Sequence, residues 1–229
     1  MECFRSGWAL IKDRYWFFLG MTVVAMLLAS FVPLGIIMGP MMCGMYLIFF
    51  RHMRGQPVDF NMLFKGFDRF VESLIATLIQ LGTIFLIMLP FIPLFFWIAM
   101  SFGQSVHSSP GNSPSLQTVL AMAAKMSLIT MALTVVVTLV SMLFSFTYPL
   151  IIDRNLRGVE AVRMSFKAAW ANIWGLVGLL GINMLLGLVG MLFCYVGVFF
   201  VLPLTFAALA TAYRQVFGLA PSDIPPVHT

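Results

Sequence analysis

Long apolar runs separated by short polar segments set the pattern of this chain. They fall at about 16–32, 34–50, 71–100, 116–152, 173–189 and 194–213. A helix needs ~20 apolar residues to cross the hydrocarbon core of a bilayer. The pattern therefore predicts an all-α, polytopic transmembrane helical bundle of about six spans. Pro33 and Gly35 divide the first two runs, and Gly190 marks the turn between the last two. The third run holds Pro90 and Pro93 and is long enough to span while kinked or tilted. Only 101–115, rich in Ser, Gly and Pro, has linker composition. Residues 1–219 read as a single transmembrane domain, and the Pro-rich 220–229 as a short disordered cytoplasmic tail.

Three of the polar segments are amphipathic. Apolar residues recur at Phe4, Trp8, Ile11 and Tyr15; at Phe60, Leu63, Phe64, Phe67, Phe70 and Val71; and at Val159, Val162, Phe166 and Ala169. Spacings of three and four predict helices lying in the membrane interface. Each precedes a pair of spans, so the six spans read as three hairpins, each led by an interfacial helix. The returning spans share a further pattern. Pro40 is followed by Arg51 and Gly55, Pro203 by Arg214 and Gly218, and Pro149 by Arg154 and Gly158. Either this is a threefold repeat about an axis along the membrane normal, or it is coincidence among common membrane-helix features. Three hairpins also suggest mitochondrial carriers, but the acidic residue of their signature, two after each proline, is replaced here by Met42, Ile151 and Thr205.

Composition agrees with a lipid solvent. The chain is 61% hydrophobic and 9% charged, against ~25% charged in soluble domains. Its net charge of +5 reflects sidedness. Twelve of the 13 Lys and Arg residues precede span one, lie between spans two and three or four and five, or follow span six. Only Lys125 departs. By the positive-inside rule the number of spans is even and both termini are cytoplasmic. Arg5, Lys12 and Arg14 before the first run, with no small-residue cleavage site after it, predict an uncleaved first span. No basic domain stands apart from the spans, so no nucleic-acid partner is expected. Cys3, Cys43 and Cys194 are isolated and suggest no metal or redox site.

The segment around Trp8, Tyr15 and Trp16, the Gly35–Gly39–Pro40 span, Leu63-Phe64-Lys65-Gly66-Phe67 and the late Ala212-Tyr213-Arg214 resemble uncharacterised bacterial six-helix integral membrane proteins. These are related to the membrane domain of some glycerophosphodiester phosphodiesterases. The resemblance covers most of the chain and implies a bacterial cytoplasmic (inner) membrane location. The phosphodiesterase catalytic barrel is missing, so no enzyme activity carries over.

Candidate chemistry is sparse. No metalloprotease, nucleophile-elbow, phosphate-loop or dinucleotide motif is present, and no enzyme activity, cofactor or metal site is expected. Gln80 and Asn183 are intramembrane polar groups, expected to hydrogen-bond across helix interfaces or to line a substrate site. Lys125 is either a buried cation or the residue just before a span covering 126–152, its ammonium reaching outward. Gly35 and Gly39, and Gly175, Gly178 and Gly181, are small-residue sites for packing within the domain or against a partner. Arg5, Lys12, Lys65, Arg69, Arg163 and Lys167 are placed for lipid headgroups. The leading expectation is a non-catalytic membrane subunit or scaffold whose partners are membrane lipids and other integral membrane subunits. The alternative is a small-solute or lipid transporter or channel with a central site between the hairpins, its spans opened by proline.

Overall fold

A computed structural model describes residues 2–31, 36–107, 115–192 and 196–220. Among these residues every regular element is helical and there is no strand. In chain order the α-helices are α1 (Glu2–Ile11), α2 (Tyr15–Phe31), α3 (Met38–Met53), α4 (Phe70–Met88), α5 (Phe91–His107), α6 (Leu116–Leu143), α7 (Thr147–Arg154), α8 (Gly158–Ala171), α9 (Ile173–Leu192) and α10 (Val196–Phe217). Short 3-10 helices occupy Lys12–Arg14 and Phe60–Arg69. Among the described residues four stretches are long and apolar enough to cross a membrane: Phe60–Met88, Leu116–Arg154, Ile173–Gly190 and Gly197–Phe217. With 17 and 16 residues, α2 and α3 are shorter than the ~20 a full crossing takes.

The apolar runs break at particular residues. The run expected at 71–100 is two helices, not one kinked span, because the chain leaves the helix at Leu89 and Pro90 before α5 starts. Pro90 cannot donate to the carbonyl four residues back, and its ring crowds that carbonyl. The run expected at 116–152 breaks between α6 and α7. There Ser165 of α8 replaces the missing helical bonds. Its hydroxyl donates to the Leu143 carbonyl (2.7 Å) and accepts from the Phe146 N–H (3.2 Å). Pro149 then falls third in α7, as Pro40 does in α3, where the missing N–H has no intrahelical partner to lose. Pro203 alone of the three lies well inside its helix.

Two units make up the chain, Met1–Leu78 with Leu143–Thr229, and Ile79–Met142. In the first, helices meet through small residues. The 3-10 helix Phe60–Arg69 lies against α3 so closely that a Cβ on Gly44 would run into the Leu63 carbonyl, and one on Gly66 into the Pro40 carbonyl and the Gly44 nitrogen. This contact explains why Phe60–Arg69 is a 3-10 helix where an α-helix was expected. Its period of three puts Leu63 and Gly66 together on the buried face. Likewise α1 packs on α10 through Gly7, where a Cβ would stand 2.9 Å from the Ala208 nitrogen. On α8 the buried face is Gly158, Ala161, Ser165 and Ala169, while Val159, Phe166 and Trp170 point outward.

Aromatic side chains fill the space these contacts leave. Phe18 of α2 stacks on Phe49 of α3 with centroids 5.0 Å apart. Tyr213 and Phe217 of α10 stack at 5.0 Å, Phe50 meets Tyr213 at 5.1 Å, and Phe146 meets Phe217 at 5.7 Å. Such pairs contribute ~0.5–1.5 kcal/mol each beyond their burial.

Candidate functional site

Helices α3, α7 and α10 each end on a left-handed residue: Gly55 (φ 68°), Asn155 (φ 53°) and Gly218 (φ 68°). The recurring Arg-x-x-x-Gly ending therefore holds for Arg51–Gly55 and Arg214–Gly218 but not for the middle hairpin. There Asn155 closes α7, and Gly158 is the first residue of α8. The Gly158 N–H donates to Glu72 Oε2 (2.5 Å), so a carboxylate from α4 caps the positive end of α8.

These three helix ends converge on Asp153, whose side chain is completely buried. Arg54 Nη2 donates to Asp153 Oδ1 at 2.7 Å. The Tyr213 hydroxyl and the Ala220 N–H donate to Asp153 Oδ2 at 2.9 Å and 3.1 Å. Arg54 also donates to the Ala220 carbonyl (3.0 Å). Next to it, Arg154 donates to the Phe217 carbonyl (2.8 Å) and lies over the Phe217 ring. Arg69 Nη2 donates to Asn155 Oδ1 (2.6 Å). Both oxygens of Asp153 are engaged, which is the condition for tolerating a buried carboxylate. Chemically this is a clamp: one carboxylate ties α3, α7, α10 and the segment after α10 together. The sequence carried a signal for it, since Asp153 is the first acidic residue after Glu72 and directly follows an apolar run.

The residues singled out from sequence have scattered fates. Gly39 packs tightly, with a Cβ there 2.7 Å from the Ser73 carbonyl and 2.6 Å from Thr77 Oγ1. Thr77 in turn bonds the Tyr148 hydroxyl (3.1 Å), joining α4 to α7. Gly35 lies outside the described residues. Gly175, Gly178 and Gly181 do not pack within the chain: among the described residues nothing stands within 4 Å of a Cβ at any of them. Asn183 on α9 was expected to hydrogen-bond across an interface, but its Oδ1 is buried with no partner among the described residues. Gln80 is half-buried on α4. Lys125 is exposed on α6, nine residues after the helix begins. Of the cations placed for headgroups, Arg5, Lys12, Lys65, Arg163 and Lys167 are exposed, whereas Arg69 is half-buried and held by Asn155. Sequence reasoning missed Asp153 and the close glycine contacts at Gly7, Gly44 and Gly66. Among the described residues no group of three or more His, Cys, Asp or Glu side chains is placed to hold a metal ion.

Set against protein-family models, curated proteins and solved structures, the chain finds no match in any of the three.

Proposed function

We propose that this protein is a non-catalytic, multi-pass subunit or scaffold of a bacterial cytoplasmic-membrane complex. In this reading six crossings form three hairpins, each led by a helix in the interface, with both termini cytoplasmic. It includes kinship with the six-helix bacterial membrane proteins that the sequence resembles. The observation that carries the reading is the uneven covering of the spans in the larger unit. Only 11% of the apolar window of α9 is covered within the chain, against 39% for α10. Its outer surface presents Trp174, Met184, Leu185 and Leu188, all more than half exposed. Open glycines run beside them, so another transmembrane helix can approach this backbone closely. The buried ionic cluster around Asp153 supports the same reading, since its groups are spent on one another and hold the helix ends in place.

Extraction in mild detergent at native abundance, followed by native electrophoresis, tests the proposal. The expected result is co-migration with a stoichiometric integral membrane partner. A lone monomer under gentle extraction overturns it. A second reading, passage of a small solute or lipid, is favoured by the unpartnered amide oxygen of Asn183 on an apolar helix. Its test is solute flux into proteoliposomes, with loss of flux in Asn183→Leu.

A further inference from the structure

The smaller unit, Ile79–Met142, holds a cation with no counter-ion. No Asp or Glu occurs anywhere between Glu72 and Asp153, so Lys125 cannot be neutralised by any side chain of its own unit. Among the described residues the one ion pair is Arg54–Asp153, in the other unit. Lys125 lines a groove of about 470 Å³ between α5 and α6. Gln117 and Thr118 lie about two turns above it on α6, Ser101 lines the groove from α5, and Ile98 and Met122 form apolar wall. Two of the hydroxyls are partly committed. Ser101 donates to the Ile98 carbonyl (2.8 Å), and Thr118 Oγ1 lies 2.8 Å from Ser115 Oγ. The donors left to meet a ligand are chiefly the Lys125 ammonium and the Gln117 amide.

The height of the groove identifies the ligand. Beyond Lys125, α6 continues through residues 126–143, a length of ~27 Å at ~1.5 Å per residue. That nearly matches the ~30 Å hydrocarbon core. On the reading that the hydrocarbon core begins just after Lys125, its ammonium stands at the edge of the core, where phospholipid phosphates lie, with apolar wall beside it.

We propose that this groove is a phospholipid headgroup site. The phosphate of an anionic lipid pairs with Lys125 and accepts from Gln117, and its glycerol end rests on Ile98 and Met122. The site rests on the reading of the chain as membrane-embedded. It is independent of any protein partner, so it can fail while that reading stands, and the reverse.

The test is native mass spectrometry of the purified full chain, delipidated and titrated separately with phosphatidylglycerol, phosphatidylcholine and glycerol 3-phosphate. Wild-type protein is expected to retain phosphatidylglycerol in preference to phosphatidylcholine and to show no comparable adduct with glycerol 3-phosphate. Lys125→Met should weaken phosphatidylglycerol retention about fivefold, the effect of one cation near a lipid surface. Lys125→Arg should restore it, and Arg157→Met, at an exposed cation just before α8, should leave that lipid's strongest adduct in place. Lys125 is exposed, so its variants are expected to melt with the wild type, and an unchanged melting curve separates lost binding from lost folding. Equal retention by wild type and Lys125→Met overturns the proposal. So does glycerol 3-phosphate binding as tightly as the lipid, which would make this a soluble phosphate-ester site.

Discussion

At the residue scale, α8 places its small side chains inward and its bulky ones outward. Val159, Phe166 and Trp170 stand exposed on α8, while Gly158, Ala161 and Ala169 are buried on the same helix. In water that arrangement would be costly. In lipid, where apolar burial gives little drive, close backbone approach and packing decide the interface. Gly44 and Gly66 are the sharpest cases. Gly44→Ala or Gly66→Ala should destabilise the protein by about 1–3 kcal/mol, the ordinary cost of overpacking, seen as a lower melting temperature in detergent. Gly178→Ala should cost nothing within the monomer and can gain up to ~1 kcal/mol of helix propensity. If Gly178→Ala melts as low as Gly44→Ala, the open face of α9 has been misread. The Asp153 carboxylate belongs to the same scale. Asp153→Leu alone strands the Arg54 guanidinium and should cost about 3–5 kcal/mol, whereas Asp153→Leu combined with Arg54→Met should recover most of that loss. Thermal melts of the two single variants and the pair give the coupling directly.

Individual elements show how much of the fold was legible in the sequence. Hydropathy located the helices that make up each apolar run, because a long apolar run has few other outcomes in lipid. Pro90 is visible in the sequence but reads there as a kink in one span and not as the break it makes, and the break at residues 144–146 could not be located, because it depends on what a distant side chain supplies. Ser165 takes over the Leu143 carbonyl and the Phe146 N–H from 19–22 residues away, and nothing local announces it. The amphipathic spacing of Phe60, Leu63, Phe64 and Phe67 fits either helical period over so short a stretch, and only contact with Gly44 selects 3-10. The glycine ladder of α9 read equally well as internal packing or as partner contact, and the structure leaves it unfilled among the described residues. Gly178→Ile should therefore leave the monomer's melting curve unchanged while abolishing co-migration with a partner. Loss of folding in that variant would place the contact inside the chain instead.

For the whole molecule, the clamp at Asp153 and the sidedness of charge fit together. The ends of α3, α7 and α10 that carry Arg54, Arg154 and Arg214 are the ends that meet around one carboxylate. The positive-inside rule had assigned all of these residues to one face of the membrane. The basic helix ends were visible in the sequence; the acid they meet around was not, because a single Asp beside an Arg looks like ordinary loop chemistry until burial is known. The even number of crossings with both termini cytoplasmic remains the claim on which the rest depends. Its most direct measurement is labelling of intact cells with a membrane-impermeant thiol reagent. The protein would carry Cys3→Ser, Cys43→Ala and Cys194→Ser, with one new cysteine at a time replacing Gln56, Ser109, Leu156 or Leu219. Labelling from outside is expected at position 109 alone, with the other three reacting only after the membrane is opened. Outside labelling at 56, 156 or 219, or protection at 109, would contradict it.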